Sequence, residues 1–154
     1  MGGDDVEEYE HPVPGPDFDD EGQAGAEAAA VYFAELYSYV YATADFEAWD
    51  EISESECGFC LVTRQQVAEI YDSGGYATKG PPVVHETTSQ LGNPDDHSYV
   101  VELRFRDSES VVFDAQGAVI RESPAGEVRA WFLVQHDTDD WRLSGVEAEA
   151  VADG

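Results

Sequence analysis

From Gly22 onward apolar residues recur every three to four positions, and Ala29, Phe33, Leu36, Val40 and Ala44 fall on one helical face. Tyr37 and Tyr41 widen that stripe, while Glu35 and Ser38 fall outside it. Asp45 stands where a cap would open a short second helix bearing Phe46, Trp49 and Ile52. Cys57-Gly58-Phe59-Cys60 interrupts the pattern. Thr63-Arg64-Gln65-Gln66 then has the capping-box spacing, and Val67, Ile70 and Tyr71 form a third face that stops at Gly74-Gly75.

After Pro81-Pro82 the period changes to two. Val83 to Ser89 predicts a first strand. Tyr99, Val101, Leu103 and Phe105 then alternate with Val100, Glu102, Arg104 and Arg106, as in a half-buried strand. Val111 to Phe113 and Ala118 to Ile120 flank a turn at Gln116-Gly117. Val128, Ala130, Phe132 and Val134 oppose Arg129, Trp131, Leu133 and Gln135, and Asp137 to Asp140 turns into Trp141-Arg142-Leu143. Three helices followed by an antiparallel meander predict an α+β domain.

Ahead of the first helix, residues 1–21 are acidic and rich in glycine and proline, with Pro12, Pro14 and Pro16 alternating. Too little apolar surface is present there to offset the entropy of ordering, so the stretch reads as a disordered linker. The expected division is a linker over 1–21, one domain over 22–150 and a tail over 151–154. Met1-Gly2-Gly3-Asp4 reads as a start set on a trimmed chain.

Composition changes the picture in one respect. Seven Lys plus Arg stand against 34 Asp plus Glu, a net charge of −27, and Lys79 is the only lysine. Phosphate backbones and anionic lipid surfaces are repelled by such a chain, which argues against nucleic-acid or membrane-surface partners. The charge serves solubility; a sharper reading is adaptation to high salt, where self-repulsion is screened. Apolar residues at 42% are ample for a packed core.

The order of elements resembles the NTF2-like (cystatin-like) superfamily, in which a curved antiparallel sheet wraps a long first helix and two shorter ones. More narrowly, the chain is similar to a family of actinobacterial lipoproteins of unknown function. The likeness is carried by Val31 to Asp45, by Cys57-Gly58-Phe59-Cys60, by Tyr71-Asp72-Ser73-Gly74-Gly75 and by Trp141-Arg142-Leu143, and it spans Gly22 to Val146. It implies an extracytoplasmic protein of the cell envelope, tethered through a lipidated N-terminal cysteine that this sequence does not contain, with residues 1–21 as spacer. It brings no activity with it.

In an exported protein the two cysteines, Cys57 and Cys60, are expected to form a structural disulfide. The competing reading is a thiol–disulfide oxidoreductase. Against it, the motif does not follow a strand, and Glu51, Glu54 and Glu56 would raise a thiolate pKa. His11, His85, His97 and His136 are scattered too widely to complete a zinc site with one cysteine pair. Asp17 to Gly22 begins like a calcium loop, but Ala28 stands where a bidentate glutamate is required. Neither a metal nor a cofactor is expected. A cavity between helix and sheet is the remaining place for function, and Tyr37, Tyr41, His85 and Trp131 are residue types that could line one. No matched acid and base can be named in it, so an isomerase or dehydratase is the alternative to a non-catalytic domain. The favoured partner is a small apolar ligand or an envelope protein.

Overall fold

The structure, a computed structural model, describes residues 12, 15–20, 22–92, 98–137 and 140–151. Three α-helices come first: α1 (Gln23–Thr43), α2 (Glu47–Ile52) and α3 (Gly58–Asp72). Seven strands follow: β1 (Tyr76–Lys79), β2 (Val83–Leu91), β3 (Ser98–Asp107), β4 (Ser110–Phe113), β5 (Val119–Ser123), β6 (Gly126–Asp137) and β7 (Asp140–Ala150). The α+β class is as the sequence predicts.

The sheet is less simple than a meander. β2-β3-β6-β7 form one antiparallel sheet and β1-β4-β5 a second. Three crossings cause this, at Gly80 to Pro82, at Ser108-Glu109 and at Pro124-Ala125. Ser108 stitches the first two together, since its hydroxyl accepts from Gly80 N at 2.8 Å and donates to Gly80 O at 2.9 Å. Bulges at Val84/Glu86, Val112/Phe113 and Leu133/Val134 add to the bending of the strands. The four-residue β1 carries too little pattern to be read in sequence, which is why Val83 looked like the start of the first strand.

α1 is not an amphipathic surface helix. Ala26, Ala29, Ala30, Phe33, Leu36, Ser38, Val40 and Tyr41 are all buried, because both sheets and the chain before the helix pack around it. Ser38, expected outside the stripe, is therefore inside. A helix buried on nearly every side needs small residues for close approach, and the alanines supply them. Its chain reverses at Ala44, the one non-glycine residue among those described with positive φ, at 59°. Asp45 then accepts from Glu47 N at 3.2 Å through Oδ1 and from the Tyr39 hydroxyl at 2.9 Å through Oδ2. It thus helps to open α2, although Phe46 occupies the N-cap position itself.

α3 begins five residues before the capping-box signal at Thr63. Cys57 is its N-cap, with Sγ accepting from Cys60 N at 3.1 Å. Cys57 and Cys60 are joined as a disulfide with Cα atoms 5.3 Å apart. The motif that interrupts the apolar pattern in the sequence is therefore the first turn of the third helix. Gly74 ends the helix region at φ 92°, a conformation that glycine adopts without penalty.

Most of the expected linker lies outside the described residues. Its last part is a single 3-10 turn, Pro16–Asp19, with Phe18 edge-on to Tyr32 at 5.6 Å. Trp141 Nε1 donates to Asp20 O at 3.1 Å, which docks this turn on β7. Asp20 Oδ1 accepts from Gly22 N at 2.7 Å, just ahead of α1.

Candidate functional site

The helix–sheet cavity is open, with a volume of about 270 Å³. Its existence follows from small residues at core-facing positions. Ala34 and Ser38 on α1, Ala130 on β6, and Ala148 and Ala150 on β7 all line it. The bulge at Leu133/Val134 sets the last two. It pairs Leu143 with Val134 but Gly145 with Leu133, so Ser144 is extra and the parity of β7 flips. Val146, Ala148 and Ala150 then stand opposite the inward Phe132, Ala130 and Val128.

Aromatic rings make the other walls. Tyr37 and Phe59 stack with centroids 5.4 Å apart, and Trp49 lies 6.3 Å from Tyr37 and 6.4 Å from Phe59. Phe59 is inside the four-residue loop that the disulfide closes, and Trp49 Nε1 donates to Cys60 O at 3.1 Å. Two of the three rings are thus positioned by the cysteine turn. Burial pushes the Tyr37 phenol well above its ordinary value, helped by Tyr41 and Asp107 and opposed by Arg121. The neighbouring Tyr41 hydroxyl donates to Gln66 Oε1 at 2.9 Å.

One polar corner breaks the apolar lining. Asp107, the last inward residue of β3, accepts from Lys79 Nζ at 2.8 Å, and that ammonium lies 5.9 Å from the centre of the Tyr37 ring. The Lys79 side chain is 5% exposed and the Asp107 side chain 31%. A buried ammonium needs such a partner. Asp107 is thus engaged by a cation. The carboxylate–tyrosine pair that an isomerase or dehydratase would use is not formed in this cavity among the described residues.

Of the residues that sequence singled out, Tyr37 lines the cavity. Tyr41 packs edge-on beside it, with centroids 5.2 Å apart. His85 is on the edge strand β2, half exposed, and ion-paired with Glu127 at 3.1 Å. Trp131 is on the opposite face of the sheet, since Ala130 and Phe132 point inward on either side of it; its ring lies under Arg129 at 5.2 Å. His136 packs edge-on against Trp141 at 5.0 Å, and His11 and His97 lie outside the described residues. Among the described residues no group of three or more His, Cys, Asp or Glu is placed to hold a metal. Sequence reasoning missed Phe59, Asp107 and Lys79. Phe59 was hidden inside the cysteine motif, and the Lys79–Asp107 pair joins strands 28 residues apart.

The cysteines themselves are 1% and 2% exposed, with a shallow groove of about 180 Å³ alongside. Buried sulfurs are poor partners for thiol exchange, which needs an accessible thiolate.

Residues 10–147 match a family described as a family of unknown function, DUF6318. No curated protein matches the sequence. Solved structures share the fold at low identity. The intermembrane-space region of the chloroplast protein ARC6 is 11% identical, with a TM-score of 0.60, over 84% of this chain and 95% of that one. A Caulobacter vibrioides protein with a cystatin-like fold is 13% identical, with a TM-score of 0.52, over 82% of this chain and 88% of its own. A putative dehydratase of the NTF2-like family from Streptomyces avermitilis is 13% identical, with a TM-score of 0.50, over 90% and 100%.

Proposed function

The chain belongs to DUF6318, a family of unknown function with an NTF2-like, cystatin-like fold, and we propose that it is a binding protein for a small apolar ligand held in the helix–sheet cavity. The observation that carries this is the cavity itself, about 270 Å³ between α1 and the larger sheet, walled by Tyr37, Trp49, Phe59 and Phe132. Ligand sites are mostly apolar concavities with a few placed polar groups, and this one is near the small end of their size range. At the ~30 Å³ that a water-sized group occupies in a liquid, it holds roughly ten non-hydrogen atoms.

The reading is non-catalytic because Asp107, the carboxylate at the Tyr37 end of the cavity, is held by Lys79. We also read the protein as extracytoplasmic and held at the cell envelope through an N-terminal lipid, as its resemblance to actinobacterial lipoproteins implies. The Cys57–Cys60 bridge supports export, since disulfides persist in oxidising compartments. Palmitate labelling of the protein in a native host checks the anchor, and an unlabelled cytoplasmic protein refutes it.

The binding test uses 4-dimethylaminobenzonitrile, a neutral dye of about that size whose emission changes when it leaves water. The wild type is expected to bind it at one site. Ala130→Leu and Ala148→Leu, which fill the cavity from two strands, are expected to weaken binding at least tenfold without loss of the folded circular dichroism spectrum. Equal binding by both folded variants refutes the cavity as the site.

A further inference from the structure

The mouth of the cavity runs along one strand. Most of the lining is buried, and its exposed members, Ala148, Glu149 and Ala150, are consecutive on β7. β7 is also the last strand of its sheet, in the order β2-β3-β6-β7. Among the described residues its outer edge is paired at one place only. Ser53 bridges Leu143 in parallel and Glu54 N donates to Leu143 O at 3.0 Å, before the chain leaves the edge for α3. A groove of about 440 Å³ follows, between Gly58 at the start of α3 and the β7 stretch from Ser144 to Glu147.

The phase of the ladder decides what the rest of that edge offers. Val151 N donates to Glu127 O at 2.9 Å. In an antiparallel pair, residues that exchange bonds alternate with residues that do not, so Glu147 and Glu149 bond to β6. Val146, Ala148 and Ala150 therefore turn their N–H and C=O groups to the vacant edge. These are the same three residues whose side chains face the cavity. A strand added here sets the side chain opposite Ala148 into the cavity mouth. Its two neighbours then stand on the outer face, opposite Glu147 and Glu149. Neither glutamate is ion-paired among the described residues. Glu56 lines the groove beside them, and the cavity lining includes Asp107 and no basic side chain.

We propose, resting on the cavity reading above, that the ligand is delivered as a side chain. The larger sheet takes up an extended basic peptide as an antiparallel strand on β7, with one aromatic residue in the cavity and a lysine or arginine on each side of it. Room for roughly ten non-hydrogen atoms matches an indolylmethyl group. Opposite charges across a strand pair stabilise it and like charges destabilise it, which selects against two other occupants. A second copy that pairs β7 with β7 brings Glu147 opposite Glu149, and the chain's own residues 1–21 are acidic. The net charge of −27 draws a basic segment toward the edge.

The probe is acetyl-Thr-Arg-Trp-Arg-Thr-amide, titrated calorimetrically with and without 4-dimethylaminobenzonitrile. The wild type is expected to bind it in competition with the dye. Exchanging the tryptophan for alanine, both arginines for glutamate, or the tryptophan N–H for N-methyl is expected to weaken binding at least tenfold in each case. The N-methyl group keeps every side chain and removes the bond to Ala148 O. Glu147→Lys is expected to cut the preference for the arginine peptide over the glutamate one at least fivefold. Dye binding that the peptide does not displace overturns strand addition and leaves the cavity reading standing. So does equal affinity for the N-methyl or the glutamate peptide, or a charge preference unchanged in Glu147→Lys. If neither the dye nor the peptide binds the wild type, the cavity reading falls and the peptide assignment falls with it.

Discussion

Removing the disulfide tests how the cysteine turn holds both helix and cavity. The variant Cys57→Ser with Cys60→Ala separates the terms. Serine keeps an acceptor for Cys60 N, now an alanine N, so the cap of α3 survives. Alanine at position 60 avoids placing a hydroxyl where the native residue is 2% exposed. What is lost is the crosslink. For a loop of four residues the chain-entropy relation gives about 6 cal/mol/K, or ~2 kcal/mol at 25 °C. The missing sulfur leaves a small void that costs up to ~1 kcal/mol more, and the better cap returns up to ~1 kcal/mol. The net loss is about 1–3 kcal/mol, which lowers the midpoint of a domain of this size by roughly 3–10 °C. Thermal unfolding followed by far-ultraviolet circular dichroism measures it. Because Phe59 lies inside the lost loop and Trp49 bonds to Cys60 O, dye binding at the cavity is expected to weaken severalfold in the folded variant. An unchanged midpoint, or a loss above ~5 kcal/mol, refutes the loop-closure account. Full dye affinity in the folded variant refutes the claim that the turn positions the cavity wall.

Raising salt from low to about molar is expected to raise the melting midpoint by several degrees, since a charge of −27 opposes the compact state and salt screens it; an unchanged midpoint assigns the acidic surface to solubility alone. Stability is expected to be insensitive to tyrosine ionisation below pH 10 and to fall above it. Burial raises the phenol pKa of Tyr32, Tyr37, Tyr39 and Tyr71, so above pH 10 the unfolded chain releases protons that the fold retains. Absorbance at 295 nm should show these four tyrosines ionising later than a free phenol, and a single titration near 10 for all tyrosines contradicts this. Gly25→Ala is expected to expel the 3-10 turn from α1, because a Cβ there would overlap the carbonyl oxygen of Asp20. Limited proteolysis before residue 22 should accelerate while the domain remains folded, and unchanged cleavage counts against the docking of this turn.

The sequence by itself determined the element types and the division of β3 and β6 into two alternating faces. Period 3.6 before Gly74 and period two after Pro82 are local consequences of backbone geometry, and Val101, Leu103, Phe132 and Val134 are core residues for that reason. Local pattern also placed the turn at Gln116-Gly117, where Asp114 Oδ1 accepts from Gln116 N and Ala118 N, both at 2.9 Å. Other features depend on what packs against what. Sequence could not tell that α1 is enclosed on most sides, because alanine suits a surface helix and a buried one equally well. Nor could it assign Trp131 to the outer face without fixing which neighbours point inward, since a shift of one residue exchanges the two faces of a strand. The start of α3 was hidden because a cysteine sulfur serves as its cap in place of the usual hydroxyl or carboxylate. The cavity was least legible of all. It is a volume left open where Ala34, Ser38, Ala130, Ala148 and Ala150 meet, and that meeting depends on a one-residue bulge in β7.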